Sequence, residues 1–189
     1  MEVVEPAVGY LACGDTGAGK MPDPEVLYEY IIKEIACEKD LKGKKIMVTA
    51  GPTQEAIDPV RYITNHSTGK MGYAIAKRAM LRGADVTLVS GPVALDPVPF
   101  VKMVPVTTAQ DMFEAVSGGF PEQDILIKAA AVADYRPSNV SDEKVKKRDG
   151  DMAIALERTT DILAMSESIR SQNRLFADFP WKHKICLKI

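Results

Sequence analysis

Cysteine, histidine and tryptophan are scarce: three, two and one in 189 residues. Cys13, Cys37 and Cys186 are odd in number and follow no framework spacing, which excludes a disulfide-stapled secreted scaffold. His66 and His183 lie far apart, no Cys/His cluster has zinc spacing, and no Ser/His/Asp set is evident. The residues that would hold a metal are therefore left unassigned. No apolar run approaches membrane-spanning length and no secretory apolar region opens the chain, so a cytoplasmic protein without membrane contact is expected. An excess of charge is also missing. Lys+Arg at 24 against Asp+Glu at 26 leaves a net charge of −2, which argues against a basic nucleic-acid binder and an acidic disordered tail. Hydrophobic residues at 46% and charged residues at 26% suit a soluble globular protein, without repeats or low-complexity stretches.

What is present is a pattern of alternating elements. Gly14, Gly17, Gly19, Pro22 and Pro24 argue against regular structure from Gly14 to Pro24. A helical run follows over 26–35, and a charged connector over 38–45 marks a boundary. From Lys44 onward, short apolar strands are predicted at 45–49, 85–89, 100–106 and 124–129, with helices at 69–81 and 109–116. Continuous apolar strands alternating with helices imply an α/β fold, a doubly wound, Rossmann-like and mostly parallel sheet covered on both faces. Such sheets bind ligands beyond the carboxyl ends of their strands. The loops that matter are then 50–68, 90–99 and 130–147. Met71, Met80, Met103, Met112, Met152 and Met165 read as core fillers.

Gly14–Lys20 (GDTGAGK) fits the spacing of a phosphate-binding P-loop, but Met21 follows where a magnesium-binding hydroxyl belongs, and Pro22 and Pro24 follow that. A P-loop is rejected. A second candidate is Asn65-His66-Ser67-Thr68-Gly69-Lys70-Met71-Gly72, which leads into a helix. Gly69 and Gly72 allow close backbone approach, and a Ser67 or Thr68 cap would leave amides facing an anion. The same residues also suit a capped helix whose Gly72 simply packs on the sheet. The long connection 51–65, with Asp58-Pro59 and Arg61, favours an ordered functional loop. A third candidate is Ala129–Tyr135, whose small residues leave room for a flat base or sugar and whose Asp134 can accept hydrogen bonds. It leads into the polar stretch 136–150, with four cations in the five residues Lys144–Arg148. This stretch reads as a mobile flap that could close over a triphosphate, or as a solvated basic hairpin.

Taken together and in order, Gly51–Glu55, Asp58–Ile63, Asn65–Gly72, Ala129–Tyr135 and Lys144–Lys147 closely resemble the synthetase half of the bifunctional coenzyme A biosynthesis proteins, phosphopantothenate–cysteine ligase, over 41 to about 179. Ala12–Asp15 with Gly17, Gly19, Lys20 and Met21 resembles the end of the decarboxylase half, phosphopantothenoylcysteine decarboxylase, where the segment clamps substrate. The resemblance implies that Cys13 matches that family's proton donor. It also places FMN only in decarboxylase residues that this chain lacks. For the synthetase it implies Mg²⁺ and the substrates CTP, 4′-phosphopantothenate and cysteine, with an acyl-cytidylate intermediate and a homo-oligomeric full-length protein. Asn65 would contact the intermediate and Lys144 would act from the flap. Lys128, Ala129, Ala130 and Asp134 would line the nucleotide site, bordered by Glu157, Arg158, Thr159 and Thr160. Thr159-Thr160 stands where the family usually has Asn-Pro, which weakens that last assignment.

After Phe179 the family pattern is expected to stop. One back-translation of residues 178–189, read from its third base, gives Phe-Ser-Met-Glu-Thr-Gln-Asn-Met-Leu-Glu-Asn, the kind of segment the family carries there. The expectation is a decarboxylase tail and linker at 1–40, the first part of a synthetase at 41–177 and a frameshifted tail at 178–189. Such a chain would be an interior fragment, with an incomplete sheet and weak or no turnover. Two other functions remain. A non-catalytic Rossmann-like nucleotide-binding module stays open. An NAD(P)-dependent reductase needs a charged selector after the second strand, and Ser90-Gly91-Pro92 supplies none.

Overall fold

The computed structural model describes residues 3–146, 152–160, 175–178 and 186–188. Its centre is a six-stranded sheet built from β3 (Lys45–Ala50), β6 (Asp85–Ser90), β7 (Lys102–Pro105), β8 (Ile125–Lys128), β11 (Leu175–Asp178) and β12 (Cys186–Lys188), ordered β12-β11-β8-β3-β6-β7. All neighbours pair in parallel except β12, which runs antiparallel to β11. Counted along the chain, these strands lie in the spatial order 6-5-4-1-2-3, that of a doubly wound dinucleotide-binding sheet. The order reverses between β3 and β8. In doubly wound sheets the ligand site lies at such a reversal, where the connections leave the sheet to opposite faces.

The strands are apolar on both sides because both sides are covered. Ile46 and Val48 of β3 join Val86 and Leu88 against Ala76 and Met80 of α2 (Lys70–Leu81). The intervening Met47 joins Val89 and Leu126 against Met112, Val116 and Phe120 on the other face, where α3 (Ala109–Gly119) lies. Alternation along one strand thus feeds two cores. Helix α3 starts with a capping box: the Asp111 N–H donates to Thr108 Oγ1 at 3.0 Å and the Thr108 N–H to Asp111 Oδ2 at 2.9 Å. These hydrogen bonds lower the Asp111 pKa.

Three hairpins fall outside the predicted pattern. β1 (Ala7–Tyr10) and β2 (Thr16–Lys20) pair antiparallel, so Gly17-Ala18-Gly19-Lys20 is a strand rather than the irregular segment expected there. Gly17 pairs with Gly9 of β1, Gly19 (φ 146°) is the extra residue of a bulge between the Val8–Ala18 and Ala7–Lys20 pairs, and no phosphate loop forms. Helix α1 (Pro24–Ile35) begins on Pro24, where a missing N–H costs nothing, and rests on the main layer through Ile32. The connection 51–65 contains β4 (Gln54–Ala56) paired with β5 (Tyr62–Thr64), and the polar stretch after β8 contains β9 (Tyr135–Pro137) paired with β10 (Leu156–Arg158). Met80 and Met112 are core residues as expected. Met71 and Met152 are about half exposed. Lys147, Arg148, Met165 and the tail positions 179–185 and 189 lie outside the described residues.

Candidate functional site

The carboxyl ends of β3 and β8 continue past the sheet as paired backbone. Pro52 bridges Ala131, the Ala131 N–H donates to the Gly51 carbonyl at 2.8 Å, and the Thr53 N–H donates to the Ala131 carbonyl at 3.3 Å. Two buried threonines tie the alanine turn down. Thr49 Oγ1 accepts from the N–H groups of Ala129 and Ala130, each at 3.3 Å, and Thr53 Oγ1 accepts from Ala133 at 3.0 Å. The N–H groups of residues 129–131 and 133 are therefore already engaged. The turn offers a ligand small side chains rather than an anion cradle, which suits a flat, neutral group.

Asn65 is brought onto the same turn. Its Nδ2 donates to the carbonyls of Ala131 and Val132, both at 3.1 Å. With two carbonyls facing it, this end of the amide must be the nitrogen, so the other end is an acceptor. The segment then enters α2 by a route that corrects the expected cap. The N-cap is Gly69 at φ 74°, and no side chain caps the helix. Ser67 Oγ reaches only the Gly69 N–H, at 3.4 Å. Crowding explains this: a Cβ on Gly69 would lie 2.8 Å from Val93 Cγ1 and 3.4 Å from the Gly51 Cα. The chain arrives in a left-handed conformation that glycine tolerates, leaving the hydroxyls of Ser67 and Thr68 upstream. One turn on, a Cβ on Gly72 would lie 2.5 Å from Ala50 Cβ and 3.0 Å from the Thr49 carbonyl oxygen. The start of α2 is thus pressed against the end of β3, and its first-turn N–H groups lack intrahelical partners.

The contrast with α3 is chemical. Glu55, buried in β4, places Oε1 2.8 Å from the Ala109 nitrogen and occupies that helix start with its own carboxylate. Of these two helix starts, α2 lacks such an internal anion.

The polar stretch is rooted rather than loose over its described part. Asp58, only 3% exposed, accepts from five N–H groups: Val60 at 2.9 Å, Arg61 backbone at 2.8 Å, Arg61 Nε at 3.0 Å, Arg61 Nη2 at 2.5 Å and Val145 at 3.1 Å. Arg61 Nη2 also donates to the Val145 carbonyl at 3.0 Å, and the Ser141 N–H donates to the Ile57 carbonyl at 3.0 Å. The Arg61 guanidinium, with the backbone N–H groups, holds the Asp58 carboxyl well below the usual carboxylate range. Lys144 and Lys146 flank the pinned residue and are exposed.

The remaining expected residues divide. Lys128 ends β8, half-buried and opposite Thr49 in register. Asp134 is exposed just beyond the alanine turn, and its carbonyl accepts from the Thr159 N–H at 3.0 Å, while Thr159 Oγ1 donates to the Ala133 carbonyl at 2.6 Å. Thr159 therefore buttresses the turn. Glu157 pairs with Arg136 at 2.8 Å across β9 and β10, Arg158 is exposed, and Thr160 meets Gln110 at 3.4 Å. Lys70 and Met71 are exposed on the first turn of α2. Cys13 is a free, exposed thiol in the β1–β2 turn, in a hairpin that shares no strand pairing with the main sheet. Spacing alone did not single out Thr49, Thr53 and Glu55; their signal was being polar in otherwise buried runs. Among the described residues there is no group of three His, Cys, Asp or Glu side chains able to hold a metal, and no helix is long and apolar enough to cross a membrane.

This geometry has known counterparts. The chain is 52% identical over 163 residues to the coenzyme A biosynthesis bifunctional protein CoaBC of Bacillus subtilis, covering 85% of this chain and 40% of that protein. It is 51% identical over 162 residues to the Escherichia coli K12 protein of the same name, covering 84% and 40%. The chain thus spans about two fifths of these relatives. A crystal structure of the C-terminal domain of CoaBC superimposes with a TM-score of 0.63 at 49% identity, covering 75% of this chain and 65% of that one. The DNA/pantothenate metabolism flavoprotein from Streptococcus pneumoniae gives 0.58 at 26% identity, covering 72% and 82%. The family described as the DNA/pantothenate metabolism flavoprotein C-terminal domain matches residues 41–184, starting where the motif resemblance starts and running a few residues past Phe179. Over most of its length, then, this chain belongs to the DNA/pantothenate metabolism flavoprotein C-terminal domain family.

Proposed function

We propose that residues 41–177 form the nucleotide-binding part of a CTP-dependent ligase that joins cysteine to 4′-phosphopantothenate in coenzyme A biosynthesis. The observation that carries this reading is the meeting of two sequence-distant motifs beyond the carboxyl ends of β3 and β8: the Asn65 amide joins the Asn65–Gly72 segment to the Ala129–Asp134 turn. The root of the lysine stretch at Val145 is held by Asp58, in the connection between β3 and Asn65. Their chemistry is complementary. The alanine turn, its N–H groups engaged, accepts the base and ribose, and the α2 start receives phosphate oxygens. Lys144 offsets charge that develops on the triphosphate.

A carboxylate is a poor electrophile at neutral pH, so activation comes first. The carboxylate of 4′-phosphopantothenate attacks the α-phosphorus of CTP and pyrophosphate leaves, giving an acyl-cytidylate. The cysteine amine then attacks the acyl carbon, the acyl–oxygen bond to CMP breaks, and the amine gives up a proton as the amide forms. Asn65, with its nitrogen turned to the Ala131 and Val132 carbonyls, presents an oxygen to the intermediate. It is suited to accept from a substrate N–H or O–H. Mg²⁺ would enter with CTP as part of the substrate and would offset charge on the triphosphate. FMN takes no part in this reaction and belongs, on this reading, to the decarboxylase portion of the family. Cys13 belongs to that same other activity.

The test is stepwise. Mg²⁺–CTP should protect the chain against thermal unfolding, and adding 4′-phosphopantothenate without cysteine should release pyrophosphate, even if only slowly. Nucleotide protection without pyrophosphate release would instead fit a non-catalytic nucleotide-binding module.

A further inference from the structure

The Asp58 carboxylate and the Arg61 guanidinium grip both backbone polar groups of a single residue, Val145. Asp58 takes the Val145 N–H at 3.1 Å, and Arg61 Nη2 gives a hydrogen bond to the Val145 carbonyl at 3.0 Å. A residue gripped on both backbone groups behaves like a residue in a strand: its φ and ψ are set, and its neighbours are aimed. The neighbours are Lys144 and Lys146. The Ser141 N–H to Ile57 carbonyl bond pins the same stretch four residues earlier. Asp58 itself is fully buried along its side chain and is 87 residues from Val145 in sequence. A buried carboxylate saturated by N–H donors is a rigid fixture, since each lost bond would leave a buried polar group unpaired.

We propose that Asp58 is a positioning residue: through its grip on Val145 it sets where the Lys144 ammonium stands over the rim of β3 and β8, without touching the nucleotide itself. This rests on the ligase reading above. The flexible four-carbon stem of lysine makes such a fixed root necessary, because an unanchored ammonium spreads over many positions and little of its charge reaches any one phosphate.

The experiment is a double-mutant cycle on CTP affinity, using titration calorimetry with Mg²⁺–CTP on the whole chain, Asp58→Asn, Lys144→Ala and the double variant. If Asp58 acts through Lys144, each single change weakens CTP binding by about tenfold, and the double variant is no weaker than Lys144→Ala alone. Additive losses would overturn the proposal while leaving the ligase reading standing, as would a Lys144→Ala variant that binds CTP like the parent. Failure of the parent chain to bind CTP would remove the ligase reading and this inference with it. Should Asp58→Asn fail to fold, Val145→Pro serves instead. It deletes the one N–H held at this root and leaves the Asp58–Arg61 pair intact. It must weaken CTP binding in the parent and have no further effect in the Lys144→Ala background; any other result counts against the proposal.

Discussion

Asn65 spans 66 residues of sequence to reach Ala131, donating Nδ2 to its carbonyl at 3.1 Å and to that of Val132 at the same distance. A single side-chain amide thereby joins the approach to α2 with the end of β8, and the two flanks of the reversal are set relative to each other. An aspartate in its place has only acceptors to turn toward those carbonyls. Asn65→Asp should cost about 1 kcal/mol from the lost hydrogen bonds, a fall of roughly 2–4 °C in melting temperature for a chain of this size. CTP affinity should fall about tenfold. Unchanged melting and affinity would mean that the contact organises nothing.

Gly72 offers a test of sign. In an ordinary exposed helix interior, Gly→Ala stabilises by roughly 1 kcal/mol. Here the added Cβ would meet Ala50 Cβ at 2.5 Å and the Thr49 carbonyl oxygen at 3.0 Å, and neither can swing away. Gly72→Ala should therefore destabilise by about 1–3 kcal/mol in urea unfolding. A stabilised variant would show that α2 does not sit against β3 as described.

The Asp58 root gives a pH dependence. Its folded pKa is depressed by the Arg61 guanidinium, so the stability it contributes is complete above the unfolded carboxylate value of about 4. That contribution is lost as pH falls through the lower folded value. The difference in unfolding free energy between the parent and Asp58→Asn should be flat from pH 7 to about 5 and shrink below about 4. A difference that grows on acidification would contradict the ion pair.

Glu55 predicts an effect confined to one helix. Removing its carboxylate in Glu55→Ala leaves the Ala109 N–H without the partner it has at 2.8 Å. The loss should be about 1–3 kcal/mol, the range for a buried donor left unsatisfied. Hydrogen exchange should accelerate at residues 109–112 and not at 70–73. Equal acceleration at both helix starts would show that Glu55 serves the fold at large.

Much of this architecture was legible beforehand. KIMVT, DVTLV and ILIK are apolar on both sides because α2 and α3 cover both faces, and such runs announce themselves in sequence. The three-residue pairs β4/β5 and β9/β10 carry too few residues for any period to show. β2 was hidden by Gly17 and Gly19, which read as turn residues although Gly17 pairs with Gly9 and Gly19 forms a bulge within the strand. At the site, Asn65 and the alanine turn stood out as motifs. The bond between them did not, nor did the grip of Asp58 on Val145, since partners separated by tens of residues leave no local pattern. The Ser67 or Thr68 cap failed for a similar reason: the crowding at Gly69 comes from Val93 and Gly51, which spacing around residue 69 cannot reveal.

On the ligase reading, a nucleoside triphosphate sits at the β3–β8 reversal with its phosphates on the α2 start. Titrating Mg²⁺–CTP into the ¹⁵N-labelled chain and following backbone amide shifts tests it residue by residue. Saturable shifts are expected at Gly69, Lys70, Met71 and Gly72 and along 129–134, with Ala109–Asp111 unmoved because Glu55 already occupies that helix start. Saturable shifts at 109–111 with silence at 69–72, or no shifts at all, would contradict it.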